Sequence, residues 1–147
     1  MSAAAALYGE RLLEHARQPR WHGLLPPPAT LGQASNRLCG DDVQVSLRLD
    51  GDHIMGFGFE ADACAMTVAA ASMLGDAIAS RTLEEVAALA TAFGDWLTSA
   101  GDDQTPAEIV QKTGFDAFAE LKKLPSRRRC ALLPFEAWEM AFRSRGH

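Results

Sequence analysis

Apolar side chains recur at Ala5, Leu7, Tyr8, Leu12 and Leu13, a loose helical stripe that predicts a first helix over residues 3–17. That helix must stop before Pro19, and Pro26-Pro27-Pro28 can only be extended linker. Ala29 to Ser35 reads as a short first strand. From Val43 the period becomes two: Val43, Val45, Leu47 and Leu49 alternate with Gln44, Ser46, Arg48 and Asp50, the pattern of a half-buried antiparallel strand. Asp50-Gly51 is a hairpin turn signal. The return strand is expected to put Met55, Phe57 and Phe59 on one face and Gly56 and Gly58 on the other, where bare glycines imply a bulge or something packed against the backbone. An alanine-rich helix follows from Ala63-Cys64 to about Ser80. Thr82-Leu83-Glu84-Glu85 is a capping box opening a helix to about Ser99. Thr105-Pro106-Ala107-Glu108 reads as a second capping box, with a helix to about Lys123 that is weakest at Gly114. Pro125-Ser126 is a break. The last helix carries Leu132, Leu133, Phe135, Trp138 and Phe142, and Pro134 either begins or kinks it. One helix, a small antiparallel sheet of three strands and then four helices make an α+β domain, with helices covering one sheet face.

Composition narrows the class. A chain of 147 residues, 48% hydrophobic and 22% charged, is expected to form a single soluble domain over residues 1–147. The net charge of −5 argues against nucleic acid as a partner, and the basic run Lys122, Lys123, Arg127, Arg128, Arg129 reads by default as a solvated face. No apolar run reaches the roughly 20 residues that span a bilayer, so no membrane role is expected. Met1–Leu7 lacks the basic start of a secretory signal, which makes a cytoplasmic location the expectation. There thiols stay reduced, and three cysteines read as metal-binding or reactive rather than as disulfides.

Each cysteine falls at an element boundary. Cys39 lies in the turn Asn36-Arg37-Leu38-Cys39-Gly40-Asp41, Cys64 at the start of the alanine-rich helix, and Cys130 near the start of the last helix. Helix N-termini stabilise a thiolate, and Arg129 beside Cys130 is expected to add to this. Three unrelated buried thiols are the alternative reading. The separations match no zinc-finger ladder, whose paired cysteines sit a few residues apart. Asp41 alone would more often be a turn residue than a ligand, and His15, His22, His53 and His147 have no partner at ligand spacing. If Cys39, Asp41, Cys64 and Cys130 converge, they form a set of three sulfurs and one oxygen that suits zinc or an iron–sulfur cluster. The harder, more exchangeable carboxylate suits a site that must open.

Four segments in order resemble the iron–sulfur cluster assembly family of IscU, the NifU N-terminal domain and SufU. Leu7-Tyr8, Leu13-Glu14-His15 and Pro19-Arg20…Gly23 are similar to its opening helix and exit. Asn36–Asp41 resembles its first ligand motif, Cys64-Ala65-Met66-Thr67 with Ala69 and Ser72 its second, and Arg129-Cys130-Ala131 with Leu133 its third. The resemblance to SufU is greatest: Arg129 stands where IscU-type members carry histidine, and Gly94–Glu108 fits the SufU insertion. The resemblance implies the IscU/SufU-like fold and a zinc site of Cys39, Asp41, Cys64 and Cys130. It further implies a sulfur acceptor, rather than a self-sufficient enzyme, in which Cys39 takes persulfide sulfur from a SufS-type cysteine desulfurase. A scaffold building a transient [2Fe-2S] cluster on the same ligands, for delivery to apo iron–sulfur proteins or other assembly components, is the alternative within the family. A structural zinc protein that only binds partners is the alternative outside it. The chain departs from the pattern at Arg37, in place of proline, and at Ala61 and Ala63, in place of Gly-x-Gly. If positive φ is required at those last two positions, alanine is strained.

Overall fold

The computed structural model describes residues 3–38, 40–99 and 105–144. Helix α1 (Ala3–Arg17) precedes three strands, β1 (Thr30–Asn36), β2 (Asp41–Asp50) and β3 (His53–Asp62). Helices α2 (Ala65–Ser80), α3 (Leu83–Thr98), α4 (Glu108–Thr113) and α5 (Arg128–Arg143) follow. The strands form one antiparallel sheet in the order β1-β2-β3. Among the described residues no helix is long and apolar enough to cross a membrane.

Alternation in β2 sends Val43, Val45 and Leu47 into the core, where they meet Phe57 and Phe59 of β3 and the inner faces of α2 and α5. Helix α5 lies directly on β1: a Cβ on Gly32 would stand 2.0 Å from the Ala137 carbonyl oxygen, so only glycine admits this approach. A second part of the core is aromatic, with Phe93 of α3 packed among Phe115, Phe118 and Phe135.

The glycine face of β3 carries both expected features. A bulge shifts the register between the Arg48–Gly56 and Leu49–Ile54 pairs. It leaves Met55 63% exposed rather than on the core face with Phe57 and Phe59, because one extra residue reverses the alternation. The linker after α1 then crosses the sheet. Gly23 N–H donates to the Phe59 carbonyl at 2.7 Å, Phe59 N–H donates to the Trp21 carbonyl at 3.1 Å, and Leu25 N–H donates to Ser46 Oγ at 2.9 Å. A Cβ on Gly58 would meet the Gly23 carbonyl oxygen at 2.2 Å.

The capping box at Thr82 forms as expected, with Thr82 Oγ1 accepting from Glu85 N–H at 3.2 Å and Glu85 Oε1 accepting from Thr82 N–H at 3.2 Å. The one expected at Thr105–Glu108 does not. Helix α4 begins at Glu108 without a side-chain cap, and the Glu108 carboxylate pairs instead with Lys112 at 2.8 Å. Gly114, at φ +82, ends α4 after six residues by taking the left-handed conformation. The chain continues as a 3-10 helix, Phe115–Lys123, whose buried Phe115, Phe118 and Leu121 recur every third residue, as three residues per turn require. Residues 100–104 of the expected insertion lie outside the described residues.

Pro134 does not begin α5: it lies buried inside the helix. Its missing N–H is the one that would have bonded the carbonyl four residues earlier, that of Cys130. The gap in the α5 ladder thus falls at the residue bearing the third thiol. The Lys122–Arg129 run is not a solvated face throughout. Lys122 is buried, its Nζ donating to the Trp96 carbonyl at 2.5 Å and to Ser99 Oγ at 2.9 Å across the end of α3. Arg128 donates to the Lys122 carbonyl.

Candidate metal centre

Three elements end at one place. Asp41 is the first residue of β2, Cys64 is the N-cap of α2, and Cys130 lies in the first turn of α5. Close seating of α5 on β1 and of α2 on β3 puts both helix starts beside the start of β2. A carboxylate oxygen of Asp41 and the Sγ atoms of Cys64 and Cys130 all lie within 4.8 Å of one another. No histidine joins them among the described residues. Cys39 lies outside the described residues. Its neighbour Gly40 adopts φ +71, the left-handed bend that a Gly-Asp pair suggests. Ahead of it, Asn36 is buried and its Oδ1 accepts from Leu38 N–H at 3.2 Å, which closes the turn.

Asp41 is 4% exposed, so its carboxylate needs partners. Oδ1 accepts from Cys64 N–H at 3.0 Å. Oδ2 faces Thr67 Oγ1 at 3.4 Å and Cys130 Sγ at 3.6 Å. The unsatisfied N–H groups and partial positive charge at the start of the 16-residue α2 favour an anion there. Burial pushes the Cys64 thiol up, but hydrogen bonds from the Thr67 hydroxyl and N–H and from Cys130 outweigh it, and the net direction is down. Cys64 is therefore poised toward thiolate.

Arg127 is the cation on the thiols. Hydrogen bonding to Cys64, then the charges of Cys64 and Cys130, hold its guanidinium above the ordinary value. Arg129, expected in that role, turns away and binds Glu136 through Nε at 3.1 Å and through a terminal nitrogen at 3.0 Å. Their places explain the exchange: Arg127 is the N-cap of α5, at the end of a short 3-10 turn, whereas Arg129 lies inside the helix's first turn. Thr67 was also missed as a partner of the site, although its i+3 spacing from Cys64 on a helix was legible.

The donor set fits a tetrahedral metal ion. With metal–sulfur bonds of about 2.3 Å and a metal–oxygen bond of about 2.0 Å, tetrahedral angles put sulfur about 3.5 Å from oxygen and about 3.8 Å from sulfur. The 3.6 Å between Cys130 Sγ and Asp41 Oδ2 already meets this, and the other separations, all within 4.8 Å, need a contraction of no more than about 1 Å. Ala61 and Ala63 do not strain the approach to Cys64. Among the described residues Trp21 is the one non-glycine at positive φ, and Ala61 pairs with Val43 as ordinary strand.

Behind the centre, His15 is neither a ligand nor a surface group. Its Nδ1 lies within hydrogen-bond distance of Ser72 Oγ, at 2.7 Å, and that hydroxyl accepts from Arg20 N–H at 2.9 Å. The contact joins α1 to α2.

Comparison with known proteins agrees with this geometry. The chain is 28% identical to the "Zinc-dependent sulfurtransferase SufU" of Bacillus subtilis, over 90% of its own length and 87% of the relative's. It is also 28% identical to the "Iron-sulfur cluster assembly scaffold protein IscU" of Streptococcus pyogenes, over 93% and 83%. The crystal structure of a nitrogen-fixing NifU-like protein (N-terminal) from Brucella abortus superposes with a TM-score of 0.82 at 25% identity, covering 97% of this chain and 96% of that one. Residues 7–92, more than half of the sequence, match the family described as NifU-like N terminal domain, and the chain belongs to that family.

Proposed function

We propose that this chain serves iron–sulfur cluster assembly as a zinc-binding sulfur acceptor of the SufU type, in the cytoplasm. The convergence of Asp41, Cys64 and Cys130 carries the reading, and Cys39, two residues before Asp41, completes it as the fourth ligand. A zinc ion bound there would keep its thiols deprotonated without redox chemistry of its own. The relative named as a zinc-dependent sulfurtransferase supports this choice, as does Arg129 in place of histidine before Cys130.

The partner is a SufS-type cysteine desulfurase carrying a persulfide. The Cys39 thiolate attacks the terminal sulfur, the desulfurase's sulfur–sulfur bond breaks, and the electron pair leaves on the desulfurase cysteine. One sulfur atom moves and no net oxidation occurs. The resemblance assigns the acceptor role to Cys39, and Leu38 beside it in sequence is 92% exposed, a side chain for a partner to cover. Arg127 faces the two thiols that stay behind.

The test is stimulation of cysteine desulfurase turnover. It is expected to occur with the wild type, to vanish in Cys39→Ala, and to persist in a distant surface variant such as Glu120→Gln. Full stimulation by Cys39→Ala would show that Cys39 accepts no sulfur and leave the protein as a structural zinc module. Anaerobic purification separates the scaffold alternative, which predicts coloured protein with iron on the same residues.

A further inference from the structure

We infer that Thr67 is a positioning residue that holds Asp41 and Cys64 in ligating geometry, an inference that rests on the metal-site reading above. Its place is unusual. Helix α2 buries mainly apolar or small side chains, among them Ala69, Ala70, Ala71, Met73, Leu74 and Ile78, and Thr67 is as fully buried as the alanines. A valine would fill the same volume without a hydroxyl to satisfy, so packing alone gives no reason for threonine.

The hydroxyl lies between the two candidate ligands, 3.4 Å from Asp41 Oδ2 and 3.5 Å from Cys64 Sγ. The Cys64 N–H holds the other carboxylate oxygen at 3.0 Å. One turn of α2 thus takes both oxygens of a carboxylate that belongs to β2 and fixes it across a gap between elements. The side chain is branched at Cβ, which restricts its rotation in a helix and makes it a stiff spacer. The hydroxyl has a single proton. While the thiols are protonated, Cys130 can also donate to Asp41 Oδ2 and Cys64 can donate to Thr67. The Thr67 hydroxyl and the Cys64 N–H together hold the two oxygens of Asp41. Groups of this kind, which orient ligands without touching the ion, commonly change affinity about 10–100-fold when removed.

Thr67→Val removes the hydroxyl at nearly constant shape, and Thr67→Ser keeps it. Chelator competition is expected to show zinc bound about 10–100-fold more weakly by Thr67→Val, with Thr67→Ser within a few-fold of wild type. In the metal-free protein, hydrogen exchange at the Cys64 amide is expected to quicken in Thr67→Val and not in Thr67→Ser, since that amide reports whether Asp41 is held. Wild-type affinity in Thr67→Val, or equal weakening in both variants, would overturn the inference. If the wild type itself takes no zinc, the metal-site reading falls. The Cys64 amide then still decides: faster exchange in Thr67→Val alone upholds Thr67 as the holder of Asp41, and unchanged exchange removes it.

Discussion

Arg127 and Arg129 stand two positions apart and do different work. Arg129 pairs with Glu136 on the surface, while Arg127 faces Cys64 and Cys130. In the metal-free protein Arg127→Ala is therefore expected to slow alkylation of Cys64 several-fold at neutral pH, and Arg129→Ala to leave it unchanged. Mass spectrometry of the modified peptides reads both. Sequence adjacency pointed to Arg129, and only the way the chain enters α5 through Arg127 assigns the role to Arg127. His15 makes a second residue-scale prediction. Burial lowers its pKa from the ordinary value, with Asp76 opposing in part. The unfolded chain then binds the proton more readily, so stability is full above the ordinary histidine value of about 6.5 and falls as pH drops through it. Thermal melts at pH 7.5 and pH 5.5 should show a larger acid loss for wild type than for His15→Asn, which keeps a hydrogen-bonding side chain for Ser72 and does not titrate. Equal losses would contradict the assignment.

At the scale of elements, the position of Cys130 depends on how closely α5 sits on β1. Gly32→Ala would drive a methyl into the Ala137 carbonyl, and α5 would have to move. We expect a loss of about 1–3 kcal/mol in urea unfolding, together with weaker metal binding. Gly94→Ala, in α3 with nothing within 4 Å of the new methyl, should instead stabilise by about 0.5–1 kcal/mol and leave metal binding unchanged. The three strands, α1, α2, α3 and the Thr82 capping box were legible because each has a clean period or a local cap. The stretch from Thr105 to Lys123 was not. A capping-box pattern suggested one long helix, and the left-handed turn at Gly114 with the three-residue spacing of Phe115, Phe118 and Leu121 overrode it. Pro134 was ambiguous for a similar reason. Local propensity puts proline at helix starts, and tertiary packing of a buried position keeps it inside α5.

For the whole molecule, the centre joins β2, α2 and α5 through Asp41, Cys64 and Cys130. Sequence spacing alone could not show this convergence, since the residues are far apart along the chain. The resemblance of four ordered segments anticipated it, and the fold brings three of the four residues together. An ion bound only by the folded state stabilises it by mass action, about 2.7 kcal/mol at a free concentration one hundred times its dissociation constant. Chelation is therefore expected to lower the melting temperature of the wild type and to have little effect on Asp41→Ala or Cys64→Ala. The most direct test is metal analysis of the anaerobically purified protein. The account predicts colourless protein with one zinc per chain, much of it lost in Asp41→Ala and Cys64→Ala. Iron with visible absorption, or zinc retained in full by both variants, would contradict it.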